Sequence, residues 1–271
     1  MKPLFFICGP RTRSSILFET MAPWSEQHYG LLPLKGHTEL FLETSANMEF
    51  LDSKTNEKHE AELYPIAHEN ELRVHYIWPH VLKTREQRNL HKLEVLEQLK
   101  KQGKNYNIKG TMNIVATPVE VIDFFSDRHF VITKRRNMEQ NAISLLYAFA
   151  SKLFHAKSNN LERYKDILDE GVHISQDTLN ILPSYFQQWE KLNNIENLLD
   201  ERGLEYTVVY YEEMNTQQEI YAIIDKLFAT TEWRDNLPDD LDQHTPILLD
   251  KNYRHAIHNY DQVSQRVREF L

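Results

Sequence analysis

Glycine is scarce in this chain: seven residues in 271, well under half of what average usage of about 7% supplies. That scarcity excludes collagen-like repeats, Gly/Ser linkers and glycine-rich loop architectures. Cysteine is nearly absent as well. Cys8 stands alone, so there is no internal disulfide framework and no cysteine-based zinc site. At the end of an apolar run it reads as a small buried hydrophobe. No apolar stretch approaches the roughly 18 residues of a membrane span, and residues 4–8 are too few for the core of a signal peptide. The expectation is a soluble, cytoplasmic protein with no membrane partner. Positive charge is the minority sign, with 31 Lys and Arg against 40 Asp and Glu and a net charge of −9. A field of that sign repels nucleic acid, so none is expected as a partner, and an anionic ligand needs a locally basic site.

What is present is a globular pattern. Hydrophobic residues make up 41% and charged residues 26%, which separates the chain from disordered sequences. Four short apolar runs, at residues 4–8, 106–109, 130–132 and 206–211, lack polar alternation and suit strands buried on both faces, as in a parallel sheet. Between them the spacing is helical. Met138, Ala142, Leu146, Phe149 and Leu153 form one stripe; Leu179, Leu182, Phe186, Trp189, Leu192, Ile195 and Leu199 form a longer one. Ile220, Ile223, Ile224, Leu227 and Phe228 form a third, shorter one. Thr117-Pro118-Val119-Glu120 and Thr216 to Glu219 carry capping boxes that start helices. Strand–helix alternation predicts an α/β fold with a parallel central sheet flanked by helices. Residues 44–105 break the rhythm: they are charged, rich in histidine and end in a helical leucine stripe. They read as an insertion within a single domain spanning residues 1–271.

The chemistry-bearing stretch is Gly9-Pro10-Arg11-Thr12-Arg13-Ser14-Ser15. It follows a buried strand and precedes Ile16, Leu17 and Met21 at helical spacing. A helix start offers free N–H groups and positive dipole, Arg11 and Arg13 add charge, and the hydroxyls add donors, so the loop suits an anion. The plain alternative is a capped strand–turn–helix with surface arginines. A second glycine followed by lysine is missing, so this is not the magnesium-nucleotide loop of kinases. Downstream, Lys134-Arg135-Arg136 ends another strand and Asn137 opens a helix carrying Ser144. Cations at the carboxyl end of a parallel strand lie where open α/β sheets bind ligands; a solvated basic turn is the competing reading.

Together these residues resemble the sulfotransferase family, enzymes of P-loop fold that use 3′-phosphoadenosine 5′-phosphosulfate (PAPS). Residues 9–15 look like that family's loop for the 5′-phosphosulfate. Arg136-Asn137-Met138-Glu139 with Ser144 looks like its element for the 3′-phosphate, although Met138 replaces the usual proline. Val208-Val209-Tyr210-Tyr211-Glu212-Glu213-Met214 resembles a late strand of the family, and Lys251 to Val263, with Asn259-Tyr260-Asp261-Gln262-Val263, is similar to the C-terminal segment of bacterial and phage members. The resemblance implies sulfuryl transfer from PAPS to a hydroxyl or amine of a small-molecule or carbohydrate acceptor. The product is adenosine 3′,5′-bisphosphate, and no metal is expected. By that resemblance Arg11, assisted by Arg13, stabilises charge on the bridging oxygen.

The base is less determined. Thr111 stands where cytosolic members carry a catalytic histidine, whereas Gly36-His37-Thr38-Glu39 resembles a bacterial segment with a catalytic glutamate. Glu39 is the expected base and His37 its substitute; a helix-start glutamate is the alternative for Glu39. Lys109 either holds sulfuryl oxygens or simply ends a strand. His59, His68, His75 and His80 match no metal-ligand spacing. Trp24, Tyr76 and Trp78 suit either an acceptor site or the core. The rival functions are a P-loop small-molecule or nucleotide kinase and a non-catalytic nucleotide-binding accessory protein on the same fold.

Overall fold

Five consecutive apolar side chains, Leu4 to Cys8, leave no polar face along the first strand. The structure buries every one of them. In this computed structural model the described residues are 2–29, 31–35, 64–68, 71–75, 105–111, 119, 122–123, 125–153, 161–236 and 253–271. The strands among them are β1 (Leu4–Cys8), β2 (Leu31–Lys35), β3 (Tyr64–His68), β4 (Glu71–His75), β5 (Asn105–Thr111), β6 (His129–Lys134) and β7 (Tyr206–Tyr210). Five of them form one sheet in the order β2-β5-β1-β6-β7. β1 and β2 both pair parallel with β5, with Phe6 opposite Lys109 and Cys8 opposite Thr111. His129 N donates to Pro3 O and Gly9 N to Thr133 O, each at 3.0 Å. These bonds advance in the same direction along both strands, so β6 also runs parallel to β1.

The chain places β2 and β5 on one side of β1 and then crosses to β6 on the other. The carboxyl end of β1 is therefore a topological switch point, the position at which open α/β sheets bind ligands. β2, which includes Pro33, ends the strand order; a residue without a backbone donor is tolerated at such an edge. Within the expected 44–105 insertion, β3 and β4 form a separate antiparallel pair, with Tyr64 opposite His75 and His68 opposite Glu71. The leucine stripe and the other histidines of that segment lie outside the described residues, as does the Thr117-Pro118 helix start.

The helices are α1 (Ser14–Tyr29), α2 (Met138–Ser151), α3 (Leu161–Glu170), α4 (Gln176–Leu179), α5 (Leu182–Glu201), α6 (Gln217–Phe228), α7 (Tyr253–Ala256) and α8 (Tyr260–Arg268). The architecture is mixed α/β, a parallel sheet flanked by helices. The apolar stripe of α5 is buried at Leu182, Trp189, Leu192, Ile195 and Leu199, with Tyr185 rather than Phe186 as the buried aromatic. The α2 stripe is corrected: Phe149 is 47% exposed, and Ile143, Tyr147 and Ala148 share the buried face with Ala142 and Leu146. The capping box at Thr216 forms as read, Thr216 accepting from Glu219 N while the Glu219 carboxylate accepts from Thr216 N. Cys8 is buried. Among the described residues no helix is long and apolar enough to cross a membrane.

The chain divides into two compact units. One comprises Met1–Cys8, Ala22–Ile132 and Lys191–Thr207. In it Phe5 packs against Phe125 and Phe130, and Lys2 pairs with Glu205 at 2.8 Å. The other comprises Gly9–Met21, Thr133–Glu190 and Val208–Leu271. It holds the arginine loop, the basic run and α2, and its core includes Trp189, Tyr147, Tyr164 and Trp233.

Candidate anion-binding site

The loop after β1 turns without the residue that normally makes such turns easy. Arg11 and Arg13 both adopt φ +59°, in the left-handed region, and Thr12 between them does not. For a residue with a Cβ that conformation costs about 1–2 kcal/mol. Alternating handedness points successive backbone N–H groups into one concavity, an arrangement that receives anions. Held strain of this kind concentrates at binding and catalytic sites.

Buried hydroxyls hold the strained turn in place. Thr12 is 1% exposed; its Oγ1 donates to Gly9 O at 2.7 Å and accepts from Thr133 Oγ1 at 2.7 Å. At Gly9 an added Cβ would lie 3.0 Å from the Trp189 ring and 3.1 Å from Thr12 Cγ2. The backbone therefore approaches the indole more closely than a side chain allows. Pro10 is half-buried, and Ser14 and Ser15 open α1, Ser14 buried and Ser15 half-buried.

The two arginine side chains take different partners. Arg11 Nε donates to Ser144 Oγ at 3.2 Å, and Ser144 Oγ shares a 2.7 Å hydrogen bond with Tyr253 OH. Tyr147 packs its ring 5.4 Å from that of Tyr253, and burial raises its hydroxyl to about 12. Burial also raises the Tyr164 hydroxyl, against which Arg11 acts in the opposite sense. Arg13 Nη1 donates to Met214 O at 2.5 Å and to Asn215 Oδ1 at 3.0 Å. Its guanidinium lies 4.0 Å from the centre of the Tyr211 ring, and that of Arg135 lies 3.9 Å from the same ring. Burial holds Arg13 below its ordinary pKa, and the Arg135 cation pushes it the same way.

Arg135 is the buried member of the basic run, 7% exposed, with Nη2 donating to Gln140 Oε1 at 3.3 Å. Arg136 is exposed and engaged elsewhere: its guanidinium pairs with Glu213 at 2.5 Å and lies 4.0 Å from the Tyr210 ring. Its backbone N–H and that of Asn137 donate to the Glu212 carboxylate at 3.0–3.2 Å. Burial raises the Glu212 carboxyl, but those amide donors outweigh it and hold the group below its ordinary value. Asn137 Oδ1 accepts from Gln140 N at 2.9 Å, completing the start of α2.

Arg11 and Ser144, which the motifs assign to different ends of the ligand, are hydrogen-bonded to each other. Arg136 and Ser144 share no hydrogen bond among the described residues. Lys109 sits in β5 level with Phe6 and Lys35, two residues before Thr111, which pairs with Cys8. Glu39, His37, Tyr76 and Trp78 lie outside the described residues, and Trp24 is buried in the core. The sequence motifs include Tyr211 and Tyr253 without giving either a role. The first closes the expected apolar run at 206–211, but β7 ends at Tyr210, and Tyr211 gains its cations through folding. The second falls within the C-terminal resemblance at 251–263, but its partner Ser144 lies 109 positions away in the chain. Comparisons with protein-family models, curated proteins and solved structures find no match for this chain.

Proposed function

We propose that the chain is a sulfotransferase of P-loop type that moves a sulfuryl group from PAPS to a hydroxyl or amine of a small molecule or glycan. One observation carries this reading: a switch-point loop in which two left-handed arginines flank a buried threonine, with Arg11 hydrogen-bonded to Ser144 of α2. The donor set fits the cofactor. Guanidinium groups, hydroxyls and loop amides are what phosphate and sulfate oxygens need, and arginine presents its donors as a planar fork. When bound, PAPS supplies the activated sulfuryl group.

In this reading the residues 9–15 hold the phosphosulfate end, and Arg11 with Arg13 counters the charge that builds on the leaving oxygen. Ser144 and the basic run at 134–136 hold the second phosphate. Lys109 is assigned to sulfuryl oxygens. Glu39 is assigned as the base that takes the acceptor proton, with His37 as its substitute. Replacing a glycine cradle by arginine and hydroxyl donors is consistent with the low glycine content.

The test is the melting temperature with added nucleotide, since a ligand that binds only the folded state must raise it. Adenosine 3′,5′-bisphosphate without magnesium is expected to raise it more than ATP with magnesium, and Arg11→Ala is expected to remove the effect. A larger shift with magnesium-ATP assigns the site to a kinase instead. With the bisphosphate bound, Glu39→Gln is expected to lose turnover while keeping the shift.

A further inference from the structure

Two guanidinium groups gathered on one aromatic ring repel each other, and the chain gives neither of them a carboxylate hydrogen-bond partner among the described residues. Arg13 is held by a backbone carbonyl and an amide side chain; Arg135 is held by the amide of Gln140. Arg136, one position along, does take a carboxylate, that of Glu213. The difference is selective. Arg13 and Arg135 hydrogen-bond to neutral groups, with Glu219 and Glu212 acting on them through space, while Arg136 takes a direct carboxylate partner.

The common element is Tyr211. It follows β7 directly and opens the short 3-10 turn Tyr211–Glu213, whose backbone is closed by Met214 N donating to Tyr211 O at 3.1 Å. The turn sets the Tyr211 backbone, and the two guanidinium groups pack on its ring. An aromatic face attracts a guanidinium through its quadrupole, most strongly where water is partly excluded. Arg13 and Arg135 come from segments more than 120 positions apart, and they meet at this ring.

We infer that Tyr211 is a positioning residue that pre-arranges Arg13 and Arg135 as a cation pair for a ligand carrying two or more negative charges, of the phosphate-ester or phosphoanhydride class. The inference rests on the anion-site reading of the loop and adds the element that sets its charge preference. It is the π face, not the hydroxyl, that does this. Holding the pair before the ligand arrives removes the ordering cost that two long side chains would otherwise impose on binding.

Calorimetric titration with two probes tests this: adenosine 3′,5′-bisphosphate and inorganic pyrophosphate. Tyr211→Phe and Tyr211→Trp are expected to bind each active probe within about threefold of the unmutated protein, because both keep the face. Tyr211→Leu is expected to lose about tenfold or more, with an unchanged melting temperature in the absence of ligand. A monovalent anion such as chloride is expected to compete equally weakly with all four proteins. Equal binding by Tyr211→Leu overturns the inference, and so does a Tyr211→Phe loss as large as the leucine loss, which assigns the role to the hydroxyl. If only pyrophosphate binds and its binding follows the ring, the cation pair stands and the sulfotransferase reading falls. If neither probe binds, both fall.

Discussion

Helix α1 and helix α2 each begin just past the carboxyl end of a strand, and each start carries the same partial positive charge from its unpaired N–H groups. The chain treats them differently. At α2 it supplies its own anion: Glu212 accepts from Arg136 N and Asn137 N, and the Asn137 side chain caps the next turn. At α1 it supplies cations and hydroxyls, on a backbone held at positive φ in two places. The first arrangement lowers the energy of the fold. The second stores strain and like charge, which an anion offsets. A helix start alone therefore identifies nothing; what distinguishes a candidate site is the sign of the side chains the rest of the chain brings to it.

The strongest way to break this comparison is at the strained residues. Arg11→Gly and Arg13→Gly remove a cation and relieve a left-handed side chain at once. Each is expected to weaken adenosine 3′,5′-bisphosphate binding by about tenfold to a hundredfold, the size of a lost charge-assisted hydrogen bond of about 1.5–3 kcal/mol. Stability is expected to stay within about 1 kcal/mol, because relief of strain and the entropy of glycine oppose each other. Chemical denaturation alongside titration checks both. A mutant that loses stability and binding together would make the arginines structural.

The opposite pattern is expected at α2. Glu212→Gln is expected to cost about 1–2 kcal/mol of stability, through loss of a charge-assisted cap at a helix start, without weakening the same ligand. Asn137→Ala is expected to cost about 1 kcal/mol. If Glu212→Gln instead abolishes ligand binding with no change in stability, the two helix starts are not functionally distinct.

The smallest effect concerns pH. Glu139 accepts from Ser264 Oγ at 2.6 Å and from Arg268 Nε at 3.0 Å, which ties α8 to α2. Arg268 first and Ser264 second hold its carboxyl below the ordinary value of 4.5. A carboxyl lowered in the folded state contributes its stability above the unfolded pKa and loses it as pH falls through the folded one. The unmutated protein is therefore expected to lose melting temperature more steeply than Glu139→Gln below about pH 5. Parallel curves would show that this contact contributes nothing.

The same contrast marks what was legible in the sequence. Strands β1 and β6 were readable because burial on both faces demands continuous apolar runs; β7 carries the same kind of run, although only Val209 in it is buried. The Thr216 box was readable because capping is local. β2 escaped because Pro33 argues against a strand unless its edge position is known. The β3–β4 pair escaped because its residues are short and mixed. Phe149 was assigned to the core by spacing alone, yet it lies past the edge of the buried face. At the site, Arg11 and Ser144 were readable as motif residues, but their meeting was not. No local rule announces an arginine at positive φ, where glycine or asparagine is the usual signal. Tyr211 and Tyr253 acquire their partners only through long-range packing.

Backbone amide chemical shifts, followed during titration with adenosine 3′,5′-bisphosphate, compare the two helix starts in one experiment. The account predicts the largest displacements at the amides of residues 11–15, with those of Arg136 and Asn137, already bonded to Glu212, moving less. Amides at 11–15 that stay unmoved at saturating ligand, or a protein that never saturates, would contradict it.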